Sequence, residues 1–267
     1  MKCTAIILAG SRDGEDALCV AGNFPHKALI PVAGQPMLVR VLEALSACTA
    51  VGEILVSLAD AEAALALSPI ADWAGRGKIR LLPAAATPSL SVLAAMEHAG
   101  SATPVLVTTA DHPLLRPEFI EYFLSRADAD TDAAAAVVTQ ETIETAYPET
   151  RRTYMRFRGQ AFSGANLFLL RTPAAAGAVA FWRHVEANRK SPLRLLSALG
   201  AGAVLRFLSG QLALEQALER LGRKCGAKLS VVTLPFAEAA IDVDKADDLE
   251  LVTRILQRTE NQAGRLT

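Results

Sequence analysis

A chain of 267 residues, 51% hydrophobic and 21% charged, can bury a full core as one large domain or as one domain carrying a lobe. Its four cysteines, Cys3, Cys19, Cys48 and Cys225, lie far apart without paired spacing, which argues against a zinc knuckle or a disulfide framework and for a reducing, cytoplasmic setting. The apolar opening run is too short for a secretion signal, no apolar stretch reaches the roughly eighteen residues of a membrane span, and a net charge of -1 offers no overall cationic face for nucleic acid.

That net charge is unevenly spread. Residues 181 to 228 hold nine Lys and Arg against three Glu, leaving the remainder near -7. A segment of that sign suits a phosphorylated substrate or peripheral contact with an anionic membrane, and equally a set of solvated helix faces.

In chain order, Thr4 to Ala9 is a short apolar run closed by Gly10, the pattern of a strand buried on both faces. Further runs of this kind occur at 53–58, 79–82, 104–109 and 133–139, with helical patterns between them at about 36–48, 60–67, 90–99 and 117–126. The alternation predicts an α/β fold with a doubly wound, mostly parallel sheet. After residue 140 the rhythm changes. Thr153 to Arg158 alternates in polarity, and Gly159-Gln160 and Ser163-Gly164 lead into the run Leu167 to Leu170, which reads as antiparallel pairing. A helical stretch from about 174 to 221, a strand near 229–234 and a closing helix from Ala246 to about Arg258 complete the chain. One domain over 1–267 is expected, with a helical insertion at about 171–228 in the C-terminal half.

Chemistry is expected where parallel strands end. Asp111 follows the run Val105 to Thr109 and precedes Pro113, so it reads either as a turn former or as a ligand-binding carboxylate. The first strand delivers Leu8-Ala9-Gly10-Ser11-Arg12-Asp13-Gly14, whose backbone amides suit phosphate oxygens, with Arg12 adding a mobile positive charge. It is neither a Walker loop nor a dinucleotide fingerprint. Lys27 follows in Pro25-His26-Lys27-Ala28-Leu29-Ile30-Pro31-Val32-Ala33-Gly34-Gln35-Pro36-Met37, where His26 reads as shaping the turn.

Leu-Ala-Gly followed by Lys-Ala-Leu-Ile-Pro-Val-x-Gly-x-Pro-Met resembles the MobA-like nucleotidyltransferase superfamily, which includes molybdenum-cofactor guanylyltransferase and the sugar- and polyol-phosphate cytidylyltransferases. The resemblance covers roughly 1–170 and 229–258 and implies the nucleotide-diphospho-sugar transferase fold, a GT-A-like Rossmannoid sheet. It further implies that Leu8, Ala9, Gly10 and Ser11 hold a nucleoside triphosphate, that Lys27 and Arg12 neutralise its phosphates during transfer, and that Asp111 holds Mg2+. The late motif Ile241-Asp242-Val243-Asp244-Lys245-Ala246-Asp247-Asp248-Leu249 resembles the family's closing motif. Asp242 is taken as the second metal ligand and Asp244 as a helix cap, although on a strand both would point the same way.

Ser89 and Ser91 fall where relatives meet the base. Ser91-Val92 looks like the Ser-Val of isoprenoid-pathway cytidylyltransferases, which favours CTP over GTP, although either serine also suits a helix cap. The acceptor side is placed around Arg151, Arg152, Arg156, Arg158 and Asn166, with Arg156 and Arg158 sharing one strand face suited to a phosphate monoester.

The chain departs from the family in having Leu-Ala-Gly-Ser for Leu-Ala-Gly-Gly, and in the sixteen residues between Gly10 and Lys27. The implied function is Mg-dependent transfer of a nucleotidyl group from an NTP to a phosphorylated small molecule with release of pyrophosphate. Rival readings are a molybdenum-cofactor-type guanylyltransferase using GTP, a nucleotide-sugar glycosyltransferase, and a non-catalytic nucleotide-binding module. The glycosyltransferase ordinarily needs an Asp-x-Asp that Asp111-His112-Pro113 lacks.

Overall fold

Alternate residues of the first strand, β1 (Cys3–Ala9), enter different apolar clusters. Ala5, Ile7 and Ala9 join one, while Ile6 joins the other on the opposite face. A strand wrapped on both sides in this way must lie centrally in a sheet with helices on both faces. The computed structural model describes residues 2–10, 16–100, 104–187 and 201–263.

β1 pairs in parallel with β4 (Val51–Leu58) on one side and β6 (Val105–Thr109) on the other. β5 (Ile79–Pro83) extends the sheet in parallel beyond β4. Beyond β6, β9 (Gln160–Leu170) runs antiparallel and is itself flanked by β7 (Ala133–Thr139). β10 (Leu229–Thr233) pairs in parallel with β7 at that edge, and β8 (Met155–Phe157) forms a hairpin with the start of β9. The result is an eight-stranded sheet of order β10-β7-β9-β6-β1-β4-β5, in which β9 is the one described strand opposing the rest. A small hairpin, β2 (Pro31–Val32) and β3 (Gln35–Pro36), stands apart. Its turn residues Ala33 and Gly34 have φ of 47° and 80°, the positive values that a two-residue hairpin turn demands.

One face is covered by α2 (Met37–Ala47), α4 (Ser68–Gly75) and α6 (Pro117–Arg126), which contribute Leu38 and Leu42, Ile70, and Phe119 and Phe123 to the larger cluster. The other is covered by α5 (Pro88–Ala99) and α8 (Ala175–Ala187), with Val92, Ala95, Ala175 and Val179 inward and Trp182 stacked on Phe168 at 5.8 Å. The aromatics at the start of the expected helical insertion thus belong to the core. Further along, α9 (Ala201–Leu208) and α10 (Leu214–Cys225) follow, and α10 meets α8 where Gly177 faces the Cys225 carbonyl. The closing helix, α11 (Ala246–Ala263), packs Leu251, Val252 and Ile255 with Ile30, Val32, Met37 and Leu114 in a third cluster. The short helices α1 (Ala17–Gly22), α3 (Ala61–Leu65) and α7 (Gln140–Ala146) lie in connections.

The strands expected at 4–9, 53–58, 79–82, 104–109 and 133–139 are β1, β4, β5, β6 and β7. The helix expected over 60–67 is α3, and a second short helix, α4, follows from Ser68 with Pro69 in its first turn. From β1 the chain moves outward through β4 and β5, then returns to β6 on the opposite side of β1. That reversal opens a crevice at the carboxyl ends of β1 and β6, the place where open α/β sheets bind ligands.

Candidate active site

β1 ends at Ala9, and Gly10 is exposed beyond it. The Leu8 carbonyl accepts from the Ala110 amide at 3.0 Å and that of Ala9 from Ala59 at 3.3 Å, so both neighbouring strands fix the loop's point of departure. A Cβ on Gly10 would meet Ala84 at 3.6 Å, an ordinary contact, so nothing in the described fold itself demands glycine there. Ser11 and Arg12 lie outside the described residues, as do positions 188–200 of the expected helical stretch.

Lys27 opens a single 3-10 turn, Lys27–Leu29. Its ammonium donates to Asp111 Oδ2 at 2.8 Å and to Asp244 Oδ1 at 3.0 Å, joining three parts of the chain. Asp111 sits just past β6, and its backbone carbonyl accepts from the Val243 amide at 2.9 Å. Asp242 is held by Arg152, whose Nη1 donates to Oδ1 at 2.5 Å, and by Asn166, whose Nδ2 donates to Oδ2 at 3.0 Å. Arg152 also reaches the Asp242 carbonyl and Asp248 Oδ1, both at 3.1 Å.

Two expectations about this segment need correction. Residues 241–244 form no strand; the chain there is irregular, held to the Asp111 loop by the Val243 amide. Asp242 and Asp244 therefore turn to different cations rather than sharing a strand face. Nor does the Asp244 carboxylate cap α11, because Lys27 engages it. Asp248, in the first turn, instead accepts from the Asp244 and Lys245 amides at 3.2 and 3.1 Å, the third-residue half of a capping box.

Among the described residues, four carboxylates, Asp111, Asp242, Asp244 and Asp248, thus share two cations, Lys27 and Arg152. Burial alone would raise the Asp111 carboxyl, but Lys27 beside it outweighs this and holds it below its ordinary value. Burial likewise works against the Lys27 ammonium, and Asp111 followed by Asp244 overcomes it, so Lys27 is raised and stays charged. At Asp242 the balance goes the other way. Burial, then Asp111 and Asp244, raise its pKa, and Arg152 and Asn166 offset them only in part.

This donor set fits a divalent cation. Asp111 Oδ1 is buried without a hydrogen-bond partner, and the quartet carries two negative charges more than its cations neutralise. No cluster of three or more His, Cys, Asp or Glu forms a metal cage among the described residues. Mg2+ needs none when phosphates and water complete its shell.

Burial pushes His112 down to about 4, and its Nε2 donates to the Glu238 carbonyl at 3.4 Å, so this neutral ring secures the turn after Asp111. Ser89 and Ser91 are buried and already partnered. Ser91 Oγ accepts from the Ala85 amide at 2.9 Å, while Ser89 Oγ donates to Glu186 of α8. The cap of α5 is neither serine but Thr87, which accepts from the Leu90 amide at 3.3 Å. Arg156 and Arg158 are exposed on and just after β8 and share no hydrogen bond or ion pair with the Asp111–Asp242 network.

Asn166 belongs to that network. It occupies a left-handed conformation, φ 48°, where the register of β9 against β7 shifts, so the bulge turns its amide towards Asp242. Arg152, which the sequence groups with Arg151 on the acceptor side, instead holds Asp242 and Asp248, a part that its Glu-Thr-Arg-Arg-Thr context does not signal. Two cavities, of about 330 and 210 Å³, lie elsewhere, neither lined by Lys27, Asp111 or Asp242.

The family model for the MobA-like NTP transferase domain matches residues 5–228. The chain belongs to this family. This MobA-like protein is 30% identical to a hypothetical transferase of Thermus thermophilus, with a TM-score of 0.77 over 93% of this chain and 100% of the other. A CMP:2-keto-3-deoxy-manno-octonic acid synthetase complexed with CTP has a similar fold at 18% identity and TM-score 0.57, covering 97% of this chain and 100% of that one. So does a 4-diphosphocytidyl-2C-methyl-D-erythritol synthase of Anaerococcus prevotii, at 14% identity and TM-score 0.56, covering 96% and 98%. No curated protein matches the chain. The MobA-like assignment accounts for the α/β architecture and supports a nucleotidyltransferase activity in general.

Proposed function

We propose that this chain is a magnesium-dependent nucleotidyltransferase that couples an NTP, CTP in preference, to a phosphorylated small molecule. An oxygen of the acceptor phosphate forms a bond to the α-phosphorus, the α–β phosphoanhydride bond breaks, and pyrophosphate leaves. The observation that carries this reading is the convergence of Lys27 with Asp111 and Asp244 at the topological switch point, with Asp242 in the same network.

Substitution at phosphorus depends on positioning and positive charge rather than on a covalent intermediate. Lys27 supplies a permanent cation, raised in pKa by its two carboxylates, which exchanges these partners for phosphate oxygens when nucleotide enters. Gly10, with Ser11 and Arg12 of the same loop, wraps the triphosphate. Asp111 and Asp242 would hold Mg2+, which screens the phosphates and fixes their orientation. Arg152 and Asn166 hold the Asp242 carboxylate in place, each donating to one of its oxygens. Arg156 and Arg158, exposed and unpaired with the acids, are left to the acceptor phosphate. The preference for CTP rests on Ser91-Val92 and is supported by similar solved structures that include a synthetase complexed with CTP.

Pyrophosphate release is the test, measured with each of four NTPs plus Mg2+ across sugar, polyol, inositol and cofactor phosphates, with Asp111→Ala as control. GTP used with a molybdenum-cofactor precursor would replace the cytidylyl reading. Tight nucleotide binding without turnover for any pair would replace transfer by a binding role. Full turnover in the Asp111→Ala control would remove Asp111 from the chemistry.

A further inference from the structure

The turn that carries Lys27 depends on the residue before it. His26 is the N-cap of Lys27–Leu29, in extended conformation with φ -154° and ψ 141°. Its ring Nδ1 accepts from the Ala28 amide at 3.1 Å, and its carbonyl accepts from the Leu29 amide at 3.0 Å. Caps of this kind are ordinarily Ser, Thr, Asp or Asn, which would serve Ala28 equally well. The His26 side chain is buried, and among the described residues its Nε2 has no hydrogen-bond partner, so the bond from Ala28 to Nδ1 is the contact by which the imidazole fixes the turn that aims Lys27.

Because Nδ1 is an acceptor here, the neutral ring carries its proton on Nε2. Burial favours that neutral form, with Lys27 acting the same way and Asp60 and Asp16 opposing it, and the ring's pKa lies below its ordinary value. A protonated Nδ1 could not accept from Ala28.

We propose that His26 is a positioning residue of this site, capping the turn Lys27–Leu29 so that the Lys27 ammonium is held where it addresses the triphosphate. The proposal rests on the nucleotidyl-transfer reading, and its effect is exerted through Lys27.

The test is a double-mutant cycle in the full chain, with His26→Ala, Lys27→Ala and the double variant, alongside His26→Asn. kcat and KM for the NTP are read by pyrophosphate release and folding by thermal melting. His26→Ala is expected to lower kcat roughly 10- to 100-fold, the penalty of about an ångström of misplacement, with a smaller change in KM. On a Lys27→Ala background the same substitution should cost less than about twofold, since a residue acting through Lys27 has nothing left to position.

His26→Asn restores the Ala28 acceptor on a smaller side chain, and should recover part of kcat. If His26→Ala does not fold, His26→Asn replaces it in the cycle, and its partial loss should vanish without Lys27. Wild-type kcat in the single variant, or an equal loss in both backgrounds, overturns the proposal. Loss in Lys27→Ala with none in the His26 variants sinks only the His26 link, whereas full turnover in Lys27→Ala sinks the reading of Lys27 beneath it. Should the wild type transfer to no acceptor, the same cycle read as NTP–Mg dissociation constants decides, and additivity there overturns the proposal.

Discussion

Replacing Arg152 by methionine keeps the length of the side chain and removes its charge and all three of its hydrogen bonds to residues 242 and 248. Breaking a buried ion pair from one side costs roughly 3–5 kcal/mol, because the abandoned charge stays buried. The Asp242 side chain is 25% exposed, and Asp248, 6% exposed, keeps two backbone donors, so the low end applies, about 3 kcal/mol. For a domain of this size that corresponds to a fall in Tm of about 6–12 °C. The loss has a definite pH dependence. The Asp242 carboxyl is raised in the folded state by burial, then by Asp111 and Asp244, so the stability linked to it is fully present below the ordinary carboxylate pKa and declines as pH rises through the folded value. Removing Arg152 raises that carboxyl further, so wild type and variant should diverge towards neutral pH and converge near pH 4, roughly the ordinary carboxyl value. Urea titrations across that interval provide the measurement. A deficit below about 1 kcal/mol, or one independent of pH, would refute a buried guanidinium clamp on Asp242.

At Asn166, φ 48° makes glycine the better tolerated replacement despite its poor strand propensity. Asn166→Ala is expected to cost roughly 1 kcal/mol more than Asn166→Gly in paired melts, both lacking the bond to Asp242. Gly177→Ala would place a methyl 1.9 Å from the Cys225 carbonyl and must force α8 away from α10. A loss of about 1–3 kcal/mol or more is expected, with altered emission from Trp182 on the same helix. Saturating CTP with Mg2+, at about 100 times Kd, should stabilise the wild type by about 2.7 kcal/mol. CTP with EDTA, or Asp111→Asn with both ligands, should show little of that shift in a thermal melt.

Much of the sheet could be read from sequence because its strands are sandwiched. Val105 to Thr109 or Ala133 to Thr139 can hardly be anything but buried strand, and a buried strand between helical patterns dictates parallel pairing. That Lys27 and Asp111 meet was legible for a different reason, since each stands in a local motif that resembles one of the family's. The part that Arg152 plays was not. Its bond to Asp242 spans 90 residues, and nothing within its own surroundings distinguishes it from the exposed Arg151. The shared strand face of Asp242 and Asp244 was misread because alternation of two acids suggests a strand, whereas the Asp111 carbonyl and the first turn of α11 hold this segment irregular. The alternative reading of Ser89 or Ser91 as the helix cap failed for a similar reason. A cap is set by where the helix begins, and Pro88 starts α5 one residue after Thr87.

The bond from Val243 to Asp111 and the ion pair from Lys27 to Asp244 also bear on when the candidate site assembles during synthesis. Lys27 and Asp244 are 217 positions apart, so the ribosome releases the lysine long before its second carboxylate exists. A nascent chain that has completed every strand through β10 holds the whole sheet but lacks the segment that clamps the Asp111 loop and supplies three of the four acids. On the proposed reading the site is therefore assembled only after the sheet, when α11 docks, and a cut between β10 and Asp242 should silence it while sparing the sheet.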